Sequence, residues 1–452
     1  METIKVMKQL LIGIIALAAA AACNQNKEAS LHPEWTYDSV VYEVNIRQYT
    51  PEGTFAAFEQ HLPRLKELGV DILWLMPMYE IGEAERKGTL GSYYAIKDYK
   101  KVNPEFGTME DFEHLVAAAH EQGFKIILDW VANQTAPDHV WMTEKPADFY
   151  ERDSLGNAIY EYDWNDTRSL NYANEEVWWA QDDAMRFWLE KGVDGFRCDA
   201  AGEVPAEFWK GILPKLNADY PDIYLLAEAE RTNLADPRET FDANYAWELH
   251  HLLNDMSKQE KNCKDLQEYV ARDAQAFPKE AFRLTFTSNH DENSWAGSEF
   301  ERMGVFAEAC AVLCFTLPNS QPLIYTGQEI GITRRLEFFE KDTIDWNDPN
   351  PNNDYTAFFK DLIALKHENH VLDAGEKGGK ITWWETDNDN LVAFHREKDG
   401  NKVIVIASFD LSENPELTVK LDGEYYDIFN HTKVSGEQKI KLTAGDYYVF
   451  AK

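Results

Sequence analysis

The 452-residue sequence is poor in cysteine and in basic charge, and each shortage closes off a class of protein. Only 5 cysteines are present, without a CxxC pair, so neither a disulfide framework nor a cysteine-ligated metal is expected to hold the fold. Cys310 and Cys314 lie in an apolar helical run and Cys198 in an apolar strand pattern, where a thiol serves as a small buried hydrophobe. Lys and Arg total 44 against 79 Asp and Glu, and the net charge of -35 argues against nucleic acid or an anionic membrane surface as partner. A neutral ligand remains compatible with it. There is no internal repeat and no low-complexity tract beyond the N-terminus. What the chain does have is apolar material, 44% hydrophobic and 13% aromatic, enough for a large core and two or three domains.

The N-terminus carries Lys5 and Lys8, an apolar run from Leu10 to Ala22, then Cys23 and a polar stretch. These are the charged, apolar and small-residue parts of a secretory signal, and the run is too short to span a bilayer as a mature helix. A Cys directly after Ala20-Ala21-Ala22 resembles a bacterial lipoprotein signal, which implies lipidation of Cys23 and a chain anchored to the outer membrane by lipid alone. Ala20 departs from the larger aliphatic residue commoner there, and a plain cleavage site with an incidental Cys reads the same residues.

Beyond a polar linker, strand and helix patterns alternate. Val40 to Ile46 reads as a strand, Phe55 to Leu68 as a helix ending at Gly69, and Val70 to Met76 as a buried strand closed by Pro77. Met109 to His120 is a helix, Phe124 to Asp129 a strand, and Trp178 to Glu190 a helix leading through Gly192 to a strand ending at Asp199. Ile223 to Ala229, Phe282 to Thr287 and Pro322 to Tyr325 are further apolar strands. Around eight such units predict an α/β fold, a closed (β/α)8 TIM barrel over residues 35–370 that follows a signal at 1–22 and a linker at 23–34. An inserted domain at about 131–175, after the third strand, is rich in Asp, Asn, Tyr and Trp. Short alternating runs over 371–452 predict a separate C-terminal antiparallel β-sandwich.

In such a barrel reactive groups come from the carboxyl ends of the strands. Those ends read Asp129-Trp130-Val131-Ala132-Asn133-Gln134, Gly195-Phe196-Arg197-Cys198-Asp199, Leu226-Ala227-Glu228 and Ser288-Asn289-His290-Asp291. Arg197 and Asp199, two apart on a strand, point the same way, so the guanidinium lies beside the carboxylate; alone, that is more often a structural ion pair. Three carboxylates from three strands at one mouth are what glycoside hydrolysis needs: a nucleophile, a proton donor and fixed negative charge for an oxocarbenium-like transition state.

These four stretches, in this order and spacing, resemble the four conserved regions of the α-amylase family, glycoside hydrolase family 13. Gly91-Ser92-Tyr93-Tyr94, the insertion and the C-terminal β domain fit the same family, and Asp199 to Val204 resembles its neopullulanase and cyclomaltodextrinase members. The resemblance implies Asp199 as nucleophile, Glu228 as general acid/base and Asp291 as the carboxylate that grips sugar hydroxyls. It further implies that Arg197 keeps Asp199 ionised with Asp129 orienting the arginine, that His290 binds hydroxyls and that Tyr94 stacks on the sugar. On this reading Asp199 has a lowered pKa beside Arg197, Glu228 a raised one among apolar neighbours, and a spacing of about 5 to 5.5 Å between them gives retention. Glu230 shares the parity of Glu228 but lies past the strand end, and Asp194 and Glu203 read as solvent or loop contacts.

One departure stands out: Gln134 follows Asn133 where the family has His, so a hydrogen bond to sugar is kept and a charge is not. Asn133, with Asp163 or Asp166 of the insertion, could hold a structural Ca²⁺, or these residues make turns and caps. Trp130, Trp141 and Trp164 are candidates for sugar stacking or for burial. The expected partner is an α-glucan oligosaccharide or polysaccharide. A glucanotransferase or isomerase of the same fold and a non-catalytic glycan-binding lipoprotein are the alternatives.

Overall fold

The computed structural model describes residues 31–452, so the signal segment and Cys23 lie outside the described residues. Eight parallel strands close a barrel: β1 Val41–Val44, β2 Ile72–Leu75, β3 Lys125–Val131, β4 Gly195–Asp199, β5 Tyr224–Ala227, β6 Ala243–Tyr245, β7 Phe282–Thr285 and β8 Ser320–Tyr325, which returns to β1. The strands are buried on both faces, which is why they read as apolar runs rather than as alternation. Inward residues such as Ile72, Trp74, Ile127, Leu226, Tyr245 and Leu284 form one cluster within the barrel. Outward residues such as Leu73, Leu75, Leu128, Phe196 and Cys198 join a second cluster with the surrounding helices.

The sequence reading names seven of these strands. The eighth, β6, has three residues and too short a pattern to read by periodicity. The Phe55 to Leu68 helix is two pieces, Phe55–Glu59 and Leu62–Leu68, the second with Pro63 in its first turn and Gly69 as a left-handed C-cap at φ 103°. The proline starts the second piece because its missing N–H costs nothing there. Met109–Glu121 and Glu175–Glu190 form as single helices, each N-capped by a polar side chain, Thr108 and Asn174.

Between β3 and the Glu175–Glu190 helix the chain makes its excursion. Gln134–Thr135 pairs antiparallel with Arg168–Ser169, which ties both ends of the loop together at the barrel mouth. Trp130 is fully buried and donates to Gln181 Oε1 at 2.9 Å, and Trp141 packs on Tyr99 and Phe149. Of the three tryptophans considered, Trp164 alone lines the cleft.

The C-terminal strands β9 Lys380–Trp383, β10 Leu391–Lys398, β11 Asn401–Ser408, β12 Glu416–Asp427, β13 Thr432–Lys441 and β14 Tyr447–Ala451 form one antiparallel sheet of order β9-β10-β11-β14-β12-β13. Residues of β10, β11, β12 and β13 share one apolar cluster, and the six strands make a single sheet where the sequence predicts a sandwich. β12 runs from Glu416 to Asp427 through an irregularity between Leu421 and Glu424. β13 escapes the sequence pattern because it is an edge strand, mostly exposed, with Ile440 its one buried residue. Arg396 of β10 is buried and donates to Gly379 O at 3.0 Å and Leu317 O at 3.1 Å, fastening this sheet to the barrel. The four cysteines among the described residues are buried and unpaired.

One backbone position fixes the level at which the site is built. Gly195 opens β4 at φ 150°, and a Cβ there would lie 1.9 Å from the Tyr224 carbonyl oxygen of β5. Replacing Gly195 by Ala should therefore destabilise the fold by about 3 kcal/mol or more, because the clash is with backbone and cannot relax by a rotamer change. A urea unfolding midpoint within error of the unaltered protein would contradict this.

Candidate active site

The register of β3, β4 and β5 sets the site. Asp129 pairs with Arg197, Val131 with Asp199, and Arg197 with Leu226, so Asp129 and Arg197 meet at one level with Asp199 above them. Strand parity turns Arg197 and Asp199 to the barrel axis and Cys198 to the helices, as expected. Nη1 of Arg197 donates to Asp129 Oδ1 at 2.8 Å and to Asp199 Oδ1 at 3.0 Å. Its Nε donates to the Tyr245 hydroxyl at 3.1 Å. Nη2 lies 2.9 Å from Glu228 Oε2, an ion pair too poorly aligned to be a good hydrogen bond. Trp74 lies under the guanidinium, 4.7 Å from its carbon, and donates its own Nε1–H to Asp129 Oδ2 at 3.2 Å.

Glu228 follows β5, and its Oε2 accepts from the Ala200 amide, next to Asp199, at 2.8 Å. One guanidinium thus faces three carboxylates. Burial pushes Asp129 up to about 6 against the pull of Arg197. Burial and then the Glu228 charge hold Asp199 well above the usual carboxylate range, outweighing Arg197. This corrects the sequence expectation of a lowered Asp199: burial first and the Glu228 charge second outweigh the pull of the arginine.

His290 follows β7. Its Nδ1 is 2.5 Å from Glu43 Oε1, and its amide donates to Glu43 Oε2 at 3.3 Å. Nε2 lies 2.8 Å from the Tyr94 hydroxyl and 3.4 Å from Asp291 Oδ2. Burial pulls the imidazole down, but Asp291 and Glu43 outweigh it and push it up to about 9. The Tyr94 hydroxyl donates to Asp129 Oδ2 at 3.0 Å, so it accepts from the imidazolium, and the two rings stack with centroids 5.4 Å apart. Asp291, with a side chain 40% exposed, faces the cleft.

These groups open into a cleft of about 910 Å³. Asp199, Glu228, Asp291, Tyr94 and Gln134 all line it, while Arg197, Asp129 and His290 lie buried behind them. Gln134 is buried, and its Oε1 has no protein partner. Glu230 also borders the cleft, but its carboxylate is engaged, paired with Arg283 and accepting from the Glu248 amide at 2.8 Å. Asp194 accepts from the Ile126 amide and Lys125 below the barrel, and Glu203 meets Arg231 at 3.5 Å. Sequence reasoning missed Glu43, Trp74, Tyr245 and Trp295. Glu43 was visible as a carboxylate inside an apolar strand, whereas Tyr245 rides on the unread strand β6.

The residues considered for Ca²⁺ do not fit one. Asn133 donates its side-chain amide to Glu161 Oε2 at 3.1 Å. The Lys87 ammonium lies 3.3 Å from Asp166 Oδ1 and donates to the Asp163 carbonyl at 2.8 Å, so a cation already stands among these oxygens. Among the described residues no group of three or more His, Cys, Asp or Glu is arranged to hold a metal ion.

The family described as alpha amylase, catalytic domain, matches residues 25–379. The alpha-amylase MalA of Haloarcula japonica is 29% identical over 390 residues, 83% of this chain, and the chain spans 56% of that longer protein. An alpha-1,4-glucan:maltose-1-phosphate maltosyltransferase of Salinibacter ruber is 27% identical over 85% of this chain and 61% of its own length. The crystal structure of an alpha-amylase from Lactobacillus plantarum superposes with a TM-score of 0.80 at 29% identity, covering 92% of this chain and 99% of that one. With the family match spanning most of its length, and a closed barrel that brings the four strand-end motifs to one cleft, the chain belongs to the alpha-amylase family.

Proposed function

We propose that this chain is a retaining glycoside hydrolase that cleaves α-1,4-glucosidic bonds in starch-derived glucans, maltooligosaccharides or cyclodextrins. The observation that carries the reading is the shared guanidinium, with Arg197 3.0 Å from Asp199 and 2.9 Å from Glu228. Two carboxylates held by neighbouring nitrogens of one group favour the roughly 5 to 5.5 Å spacing of double displacement over the ~6.5 to 9.5 Å that admits an attacking water.

In this mechanism Asp199 attacks the anomeric carbon while Glu228 gives its proton to the leaving oxygen, and a glycosyl ester of Asp199 forms. Glu228 then takes a proton from water, which attacks the same carbon and releases Asp199. Asp291 grips the sugar hydroxyls and strengthens its hold as positive charge develops. The electrostatics suit a two-state pair. The Glu228 charge is one of the causes that raise Asp199, so a proton on Glu228 eases Asp199 towards its ionised form, with Arg197 pulling the same way against burial. Only the arrangement with Glu228 protonated and Asp199 ionised is productive. Asp129 holds Arg197 in place from below.

A transfer reading has some support from the named maltosyltransferase relatives. A sugar phosphate needs unpaired cations in the cleft, and the lysine and arginine that line it, Lys87 and Arg231, are paired with Asp166 and Glu203. Hydrolysis is therefore favoured. The proposal extends to location: export followed by lipid anchoring at Cys23, which rests on the signal-like N-terminus alone.

Incubation with maltoheptaose or β-cyclodextrin should release shorter maltooligosaccharides, with rates falling about a thousandfold in Glu228→Gln and Asp199→Asn. EDTA should change neither rate nor thermal midpoint. Glucan binding without turnover, unaffected by Asp199→Asn, would instead favour a glycan-binding protein. Activity should fall as pH rises through about 9, where His290 loses the proton that it holds below that value, and Glu43→Gln should move this alkaline limb to lower pH. An alkaline limb unmoved by Glu43→Gln would remove His290 from the profile. In cells the unaltered chain should partition with membranes and Cys23→Ser should not; equal partitioning would discard the anchor.

A further inference from the structure

Among the described residues Trp295 is one of few large hydrophobic side chains left exposed, at 56%, and it lines the cleft with Asp291. The backbone that carries it is unusual. Glu292–Ala296 is a single π-helical turn, preceded by Asp291 and closed by Gly297 at φ 120°. Isolated π turns recur at functional sites because they re-aim a side chain. Here the turn brings Nε1 of Trp295 to 3.2 Å from Asp291 Oδ1, while His290 Nε2 faces Oδ2 at 3.4 Å. Both oxygens of this carboxylate thus have a nitrogen neighbour before a ligand enters.

The turn is stitched to the segment after β8. Leu336 N donates to Asn293 Oδ1 at 2.8 Å, Ser294 Oγ donates to Leu336 O at 2.9 Å, and Arg335 donates to the Trp295 and Ala296 carbonyls at 3.3 and 3.2 Å. The same segment backs the indole with Phe338 at 5.2 Å and Phe339 at 5.9 Å between ring centroids. A solvent-facing ring on a pinned backbone, backed by other rings, suits the apolar face of a pyranose. Its N–H is committed to a carboxylate at the reacting centre.

We propose that Trp295 couples sugar binding to Asp291: its ring is the platform for a glucosyl unit at this rim, and its N–H positions the Asp291 carboxylate. This rests on the reading of the cleft as an α-glucan site. A sugar seated on the ring presses it against Phe338 and holds the N–H on Asp291, so binding energy away from the reacting bond is spent on orienting a charge that acts in the transition state.

Two substitutions separate the roles. Trp295→Phe keeps a ring and removes the N–H; Trp295→Ala removes both. With maltoheptaose, Trp295→Phe should lower kcat about tenfold with KM within about twofold, the loss of one hydrogen bond to a charged group. Trp295→Ala should show the same kcat loss and raise KM about tenfold as well. An unchanged kcat in Trp295→Phe overturns the positioning role, and an unchanged KM in Trp295→Ala overturns the platform. A merely structural role would lower the melting temperature and move kcat and KM together in both variants, which would equally overturn the proposal. Absence of turnover by the unaltered protein would instead overturn the glucan reading, and this inference with it.

Discussion

Arg197 has no exposed surface, and a charge without water is stable only where other charges and dipoles replace its hydration. Asp129, Asp199, Glu228, the Tyr245 hydroxyl and the Trp74 ring do so from five different strand ends or turns. The dependence runs in both directions. Without the guanidinium, three acids would crowd a buried pit; without the acids, the guanidinium would be an uncompensated buried cation, a defect of about 3 to 5 kcal/mol. The interaction contributes little net stability and a great deal of geometry. It fixes where Asp199 and Glu228 sit relative to one another.

That geometry is inherited from the barrel. Parallel strands in register place residues at fixed heights, and the glycine at the base of β4 lets β5 approach closely enough for Arg197 to lie level with Leu226 and Asp129. The aromatic residues behind the site are part of the same construction. Trp74 and Tyr245 fill the barrel interior with apolar surface and turn their one polar atom each toward the ion pairs. Packing and electrostatics therefore use the same side chains.

Much of this was legible because it is local. Apolar runs, Gly69 as a C-cap and the parity of Arg197, Cys198 and Asp199 follow from the periodicities of strands and helices. The four strand-end motifs could be read because each is contiguous. What was not legible depends on neighbours distant in sequence. Tyr245 comes from a strand of three residues, and Glu43 meets His290 across 247 positions. The raised Asp199 is of the same kind: Arg-x-Asp shows the partner two residues away and hides the burial and the Glu228 charge that outweigh it.

Polar atoms left without partners point to what the cleft is built to receive. Buried donors and acceptors are almost always satisfied, so exceptions at a cleft are places where ligand or water completes the set. Gln134 Oε1 and Asp166 Oδ2 are two such acceptors, both enclosed within residues of the cleft wall, where a donor such as a bound water would complete them. The exchange of histidine for Gln134 fits this balance: His290, with its raised pKa, already supplies a cation behind Tyr94, and a second protonatable ring nearby would draw charge from the same acids. A neutral amide keeps a hydrogen-bonding group in the cleft wall and leaves Arg197 and His290 as the cations against which Asp129, Asp199 and Asp291 are set.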